Sequence, residues 1–148
     1  LVRTNSVFIT KGHFVDNEVG YNTASDRIIH LSNNNLDDLN FLLKDIDILI
    51  TDYSGVYFDF LLTQKPIIFA AFDYDEYVCK SRELYFTYRD IISGPIANTW
   101  TKVVNELYKI TEKDDFKEVR KQKQIYFNKF ADDKSSSRLY KSLIMLTQ

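Results

Sequence analysis

Short apolar segments alternate with polar stretches along the first half of the chain. Four of these segments are rich in Ile, Val, Leu and Phe, and they span residues 7–10, 27–31, 46–51 and 66–72. A strand that is buried on both faces has such a continuous apolar run, whereas a half-exposed strand alternates apolar and polar residues. The pattern therefore predicts four buried β-strands.

Two segments with helical spacing separate the later strands. Leucines recur at helical spacing within residues 35–43, with Asn34 or Asn35 as a candidate N-cap. Residues 54–62 carry a broad apolar face, which Pro66 ends. Strands that alternate with helices indicate a parallel sheet with right-handed crossovers. We therefore predict an α/β fold, a doubly wound, Rossmann-like parallel sheet with flanking helices.

The second half of the chain has a different pattern. Residues 74–95 mix aromatic and charged side chains without a clear period, which predicts a long functional loop with a short helix. The spans 101–111, 114–130 and 135–146 are predicted helices. Their candidate start residues are Thr99 or Thr101, Glu112 or Asp114, and Ser135.

Length and composition fit one globular domain over residues 1–148. Hydrophobic residues make up 45% of the 148 residues and charged residues 27%, both near the globular average. Nineteen basic and 21 acidic residues give a net charge of -2, so nucleic acid is not an expected partner. The single cysteine, Cys79, can form neither an internal disulfide nor a zinc knuckle.

The ends and the apolar runs of the chain bear on its cellular context. The sequence begins at Leu1 without an initiator methionine or an export segment, and we interpret the chain as a piece of a longer protein. Its longest apolar runs, 56–62 and 67–72, fall far short of the roughly 20 residues that cross a bilayer. Any membrane association is therefore expected to be peripheral or to come from other segments.

Candidate binding residues follow the first and third predicted strands. Lys11 and His13 follow the first, and Asp52, Ser54 and Gly55 follow the third. Ligands of open parallel sheets bind beyond the carboxyl ends of the strands. Because the third strand runs directly into a helix, free backbone N–H groups, the Ser54 hydroxyl and the helix dipole favour an anion there. Lys11 and His13 would add charge-assisted donors, so the sequence favours a ligand that carries phosphate.

These candidates also have simpler structural interpretations. Ser54 or Asp52 can serve as an ordinary helix N-cap. His13 can be a solvated loop residue, and His30, inside an apolar strand, is interpreted as a hydrogen-bonded core histidine. The phosphate hypothesis therefore depends on several weak signals that converge on one edge of the sheet.

Acidic and glycine-containing motifs indicate which metal sites and enzyme classes the sequence could support. Asp73 and Asp75 match the DxD pattern that holds a divalent metal in one class of glycosyltransferase. Three-residue acidic matches often arise by chance, so we predict neither a metal site nor a cofactor. The motifs G-x-G-x-x-G, Walker A, H-E-x-x-H and G-x-S-x-G do not occur. Their absence argues against a dinucleotide oxidoreductase, a P-loop NTPase, a zincin and a serine hydrolase.

The central motif resembles a known family. The run IDILITDYSGVYFDF at residues 46–60, followed by KPIIF at 65–69 and FDYDEY at 72–77, resembles the CDP-glycerol glycerophosphotransferase family. These enzymes are polymerases and primases of teichoic acid and related capsule polymers. Further matches occur in the family's order at residues 11–13, 82–86, 94–96 and 132–138. The resemblance spans about residues 7–140.

The resemblance implies a fold and a set of site residues. It implies a GT-B-type enzyme of two Rossmann-like halves, with this chain as the C-terminal, donor-binding half. His13 is then the catalytic histidine on the donor pyrophosphate, with Lys11 and Gly55 at the phosphates. The other implied residues are Asp52, Ser54 and Asp59 in the strand-turn-helix motif, and Arg82, Ser136 and Arg138 as further donor contacts. Phe14, Gly55 and Glu83 stand where the family usually has proline, serine and glycine.

The implied reaction is transfer of glycerol phosphate or ribitol phosphate from CDP-glycerol or CDP-ribitol to a lipid-linked polymer. By the resemblance, the base lies in the missing half, so the isolated chain is expected to be inactive. The full-length protein would work in the cytoplasm, peripheral at the inner face of the bacterial cell membrane. Two alternatives remain open, namely a non-catalytic nucleotide-binding module and a signalling receiver domain with Asp52 as phosphoacceptor.

Overall fold

The computed structural model describes residues 1–12, 25–31, 38–80 and 85–146 of the chain. The strands of this part are β1 (Phe8–Lys11), β2 (Ile28–Leu31), β3 (Leu49–Thr51), β4 (Ile67–Ala70) and β5 (Ile96–Ala97). Its helices are α1 (Leu39–Leu43), α2 (Val56–Phe60), α3 (Tyr74–Lys80), α4 (Tyr88–Ile91), α5 (Trp100–Glu112), α6 (Lys117–Phe127) and α7 (Ser135–Leu146). A 3₁₀ turn, Leu61–Thr63, continues α2.

All strand pairs of the described residues are parallel. The chain divides into two compact units, Leu1–Asp45 and Ile46–Gln148. The first unit contains the β1–β2 pair, and the second contains a sheet of order β3-β4-β5. The predicted α/β fold with a parallel sheet and flanking helices is confirmed. A single domain over residues 1–148 stays a prediction.

A hydrogen bond across the first unit's strands involves a histidine. The Nδ1 atom of His30 in β2 lies 2.5 Å from the Thr10 hydroxyl in β1, and His30 is half-buried. This contact fits the interpretation of His30 as a hydrogen-bonded strand residue.

The core of the second unit lies between its sheet and α5. Ile67, Ile68 and Phe69 of the central strand β4 are at most 1% exposed, which explains their continuous apolar run. Val103 of α5 packs with Ile68 in a fully buried cluster. Leu107 and Ile110 follow at helical spacing and extend the contact.

Helix starts agree with the predictions in part. The Thr99 hydroxyl accepts the Lys102 N–H at 3.2 Å and caps α5, as predicted. Asp38 caps α1 by accepting the Asn40 N–H at 2.8 Å, whereas the candidate caps at residues 34 and 35 lie outside the described residues. Helix α6 begins three residues later than predicted.

The prediction of a long loop with one short helix over residues 74–95 was wrong in part. Residues 74–95 contain two helices, α3 and α4, and the short strand β5 follows directly. Strand β5 pairs with β4 through two residues, Ile96 opposite Phe69 and Ala97 opposite Ala70. A two-residue strand carries too few positions to show a period in the sequence.

Gly94 lies where the chain enters β5 and touches the β4 backbone. A Cβ atom at Gly94 would lie 1.9 Å from the Ile67 carbonyl oxygen. The neighbouring Pro95 carbonyl accepts the Phe69 N–H at 2.9 Å. Only glycine permits this close approach of the two backbone segments.

Helix α6 is attached to the end of α2 by two polar side chains. Arg120 is 1% exposed, and its Nε donates to the Gln64 carbonyl at 3.0 Å while its guanidinium forms an ion pair with Asp114. The Asn128 amide donates to the Phe58 carbonyl at 3.0 Å. These contacts fix the position of α2, which begins at the candidate site.

Candidate functional site

The turn between β3 and α2 is exposed and is stabilised by its own carboxylate. Asp52, Ser54 and Gly55 are all exposed. The Asp52 carboxylate accepts the Ser54 N–H at 2.9 Å, an Asx-type turn contact. The N-cap of α2 is Gly55 rather than Ser54 or Asp52. Asp52 thus orders the turn, and its phosphate-binding role stays a prediction.

The space that a side chain at Gly55 would occupy is empty. No atom lies within 4 Å of the position where a Cβ would stand, and its backbone is helical, with φ -62 and ψ -19. The turn therefore has room for a ligand at Gly55.

Four tyrosines, here named the tyrosine cluster, lie in the turn or pack beside it: Tyr53, Tyr74, Tyr77 and Tyr88. The rings of Tyr53 and Tyr77 stack with centroids 4.1 Å apart, and those of Tyr74 and Tyr88 stack at 5.2 Å. The Tyr88 hydroxyl donates to the Asp52 carbonyl at 3.3 Å. The cluster thereby connects the turn to α3 and α4.

Two of these tyrosines are held in their neutral form. Burial is the main cause that raises the pKa of Tyr53 above its ordinary 10.0, and the hydrogen bond to the Asp73 carboxylate, 3.1 Å long, raises it further. Burial also raises the pKa of Tyr88, followed by the nearby Asp52 charge. Both hydroxyls therefore remain hydrogen-bond donors over the physiological pH range.

A cavity of about 470 Å³ opens beyond the carboxyl ends of β4 and β5. Its polar lining comes from the residues after β4, from α4 and from the residue after β5, namely Asp73, Asp75, Glu76, Arg89 and Asn98. The rings of Tyr74, Tyr88 and Phe72 complete the wall. The lone tryptophan of the sequence, Trp100, contacts Phe72 edge-on at a centroid distance of 5.2 Å.

The remaining predicted site residues fall into two groups. His13, Arg82 and the departures Phe14 and Glu83 lie outside the described residues. Lys11 is the exposed last residue of β1, and its ammonium donates to the Gly12 carbonyl at 3.3 Å. Their roles at a donor stay predictions.

Arg138 makes contacts within its own segment. Its guanidinium donates to both Asp132 oxygens at 2.8 and 3.0 Å and to the Ser135 hydroxyl at 2.9 Å, and it lies over the Phe130 ring. The Lys134 N–H and then Arg138 lower the pKa of Asp132. Ser136 in the first turn of α7 is exposed. These contacts order the start of α7.

Asp59 is exposed on α2, and its supporting role, like the donor contacts of Ser136 and Arg138, stays a prediction.

Within residues 1–12, 25–31, 38–80 and 85–146, no group of three His, Cys, Asp or Glu side chains could hold a metal ion. None of the helices in these ranges is both long and apolar enough to cross a membrane.

Sequence reasoning missed the tyrosine cluster and Asn98. The ten tyrosines of the chain gave a compositional signal, but their spacing did not show which of them meet. Asn98 enters the cavity only through the pairing of β5 with β4.

Comparisons with known proteins agree on one family. Residues 2–145 match the family described as CDP-Glycerol:Poly(glycerophosphate) glycerophosphotransferase. A teichoic acid poly(ribitol-phosphate) polymerase of Bacillus spizizenii is 36% identical over 107 residues, which cover 72% of this chain and 17% of the relative. A teichoic acid glycerol-phosphate primase of Bacillus subtilis is 33% identical over 133 residues, which cover 90% of this chain and 33% of the relative.

A solved structure of the wall teichoic acid polymerase TagF has a similar fold. It matches with a TM-score of 0.64 and 27% identity, over 95% of this chain and 34% of the TagF chain. The chain therefore spans about a third or less of these relatives.

The parallel sheets with flanking helices and the likeness to TagF define a Rossmann-like fold of the GT-B-like class. Within that class, the chain belongs to the CDP-glycerol:poly(glycerophosphate) glycerophosphotransferase family. The resemblance inferred from residues 46–77 is confirmed. Family membership argues against the receiver-domain alternative.

Proposed function

We propose that this chain forms the donor-binding part of an enzyme that transfers glycerol phosphate or ribitol phosphate from a CDP-activated donor to a teichoic acid polymer. Its relatives include a polymerase and a primase of teichoic acid. One solved structure is of a TagF variant soaked with CDPG. The observation that carries the proposal is the exposed β3–α2 turn, which opens to free space at Gly55 within the family match.

The reaction would be an attack by an acceptor hydroxyl oxygen on the β-phosphorus of the donor. A new P–O bond forms to the acceptor, the bond from the β-phosphorus to the bridging oxygen breaks, and CMP leaves with that electron pair. The acceptor proton passes to a base outside this chain. His13 and the backbone N–H groups of the turn would stabilise the charge on the departing phosphate.

The acceptor and the location of the whole protein are part of the same proposal. The acceptor would be a lipid-linked polymer, which keeps the reaction at the inner face of the bacterial membrane. The protein would meet that face peripherally.

Cytidine nucleotides are expected to raise the melting temperature of the full-length protein that contains this chain, because a ligand that binds only the folded state stabilises that state. A ligand at 100 times its Kd adds about 2.7 kcal/mol. CMP, CDP-glycerol, CDP-ribitol and UDP-sugars would be compared by thermal shift. A shift with UDP-sugars equal to that with CDP-glycerol, or none with any cytidine nucleotide, contradicts the proposal.

The His13→Ala variant is expected to bind CDP-glycerol about tenfold more weakly, since one charge-assisted hydrogen bond contributes on the order of 1.5 kcal/mol. Isothermal titration measures the change. His30→Gln is the matched control, because His30 is engaged with Thr10, and its affinity should stay that of the parent. Unchanged affinity in His13→Ala would reject the pyrophosphate role of His13.

CMP release separates an enzyme from a non-catalytic module. The full-length protein should release CMP in the presence of acceptor, and its His13→Ala form should release CMP far more slowly. Donor binding without CMP release in the parent protein would identify a non-catalytic nucleotide-binding module.

A further inference from the structure

We propose that the cavity beyond β4 and β5 binds the polyol portion of the substrate. This inference rests on the proposed function, because it assigns a place to the group next to the donor phosphates. Its polar lining comes from three separate segments of the second unit, and the first of them carries the acidic residues of the FDYDEY motif at 72–77.

The cavity adjoins the β3–α2 turn through two tyrosines. Tyr53, in the turn, donates to the Asp73 carboxylate on the cavity wall at 3.1 Å. Tyr88 lines the cavity and donates to the Asp52 carbonyl at 3.3 Å. A ligand with its phosphates at the turn would therefore extend its next chemical group toward the cavity.

The charge of the lining selects against phosphate. Three carboxylates, Asp73, Asp75 and Glu76, face one guanidinium, that of Arg89. An added anion would meet net repulsion there. The phosphates are consequently expected outside this cavity, at the turn.

The hydrogen-bonding character of the lining suits a polyol. Carboxylate oxygens accept only, and every hydroxyl of glycerol or ribitol can donate to them. The Asn98 amide both donates and accepts, so it can complete the pattern. A cytosine ring fits less well, because beside its one amino donor it would direct two acceptors, the ring nitrogen and the carbonyl oxygen, at a wall rich in carboxylates.

The wall is also rigid where it contacts the turn. Tyr88 is 3% exposed and stacks with Tyr74, and Asp73 is held by the Tyr53 hydroxyl. A site with groups fixed in advance loses little conformational entropy on binding a flexible polyol.

Two variants of the full-length protein test the cavity, namely Asp75→Ala and Asn98→Ala. Both residues are exposed at the cavity, so neither change removes core packing. Glu112→Ala is the matched control, since it removes an exposed carboxylate from a helix outside the cavity. Titrations with CMP and with CDP-glycerol are read together with the melting temperature of each variant.

Each cavity variant is expected to weaken CDP-glycerol binding about three- to tenfold, the effect of one lost hydrogen bond, and to leave CMP affinity unchanged. If the polyol of the acceptor occupies the cavity instead, CDP-glycerol affinity stays unchanged and the KM for a soluble polyol-phosphate acceptor rises. Either result supports a polyol site, and together they distinguish donor from acceptor.

Three results would overturn the inference. One is unchanged CDP-glycerol affinity together with unchanged acceptor KM. Another is a parallel loss of CMP affinity at an unaltered melting temperature, which would assign the cavity to the nucleotide. The third is a parent protein that binds no cytidine nucleotide, and this result alone also removes the proposed function.

Discussion

Gly94→Ala is expected to lower the free energy of unfolding by about 3 kcal/mol or more, the upper range for an overpacked position. The added methyl would lie 1.9 Å from the Ile67 carbonyl oxygen and 2.9 Å from its carbonyl carbon. Both are backbone atoms of the buried central strand, so they cannot move aside as a flexible side chain would. Urea denaturation of the chain measures the loss.

Gly55→Ala is the matched control for this experiment. Its new methyl meets no atom within 4 Å, and the helical φ of -62 suits alanine. The substitution should change stability by less than about 1 kcal/mol, with a small gain from a less flexible unfolded chain. Equal losses in the two variants would contradict the close approach of Gly94 to β4.

Asp114→Ala is expected to cost about 3 kcal/mol, the lower end of the range for breaking a buried ion pair. Arg120 is 1% exposed and would keep its hydrogen bond to the Gln64 carbonyl while losing its carboxylate partner. The Asp114 side chain is 24% exposed, so water can reach part of the gap and limit the loss. Chemical denaturation at neutral pH checks the value.

Asp132→Ala is the control for the buried pair. It removes a similar carboxylate–arginine pair whose side chains are 43% and 32% exposed, and it should cost much less stability than Asp114→Ala because solvent screens the exposed charges. A loss as large as that of Asp114→Ala would show that burial of Arg120 is not the cause.

The effect of Asp114→Ala should also depend on pH. Burial alone would raise the pKa of Asp114, but the hydrogen bonds and charge of Arg120 and the Phe116 N–H outweigh it and hold the pKa below 3.8. A lowered folded-state pKa means that the carboxylate stabilises the protein above the unfolded value and loses this effect as pH falls through the folded value. The stability difference between parent and variant should therefore shrink below about pH 4.

The elements that sequence reasoning predicted are those whose packing shows in a local period. Strand β4 has a continuous apolar run in the sequence because its residues are buried on both faces. Helix α5 shows a helical period because Val103, Leu107 and Ile110 line one face. Only one short helix was predicted in the region of α3 and α4, and it was not placed, because tyrosines from different segments stabilise these helices, as in the Tyr74–Tyr88 stack. No local pattern reveals such a pairing.

The same distinction applies to the candidate site. The β3–α2 turn was predicted, because a buried strand that runs into a helix sets its position. The contact of Asp52 with its own turn depends on backbone geometry, and the cavity depends on the register of β4 with β5. His13 was selected by its place after the first predicted strand, while its catalytic role and the role of Arg82 came from the resemblance, and titration of His13→Ala tests the first of these roles.

The edge contact between Trp100 and Phe72 gives the protein an intrinsic optical reporter. Indole emission responds to the polarity and rigidity of its surroundings, and Trp100 is the only indole in the sequence. It touches the cavity wall while remaining 57% exposed to solvent. Occupancy of this face of the molecule can therefore be followed by fluorescence in unlabelled protein, in real time.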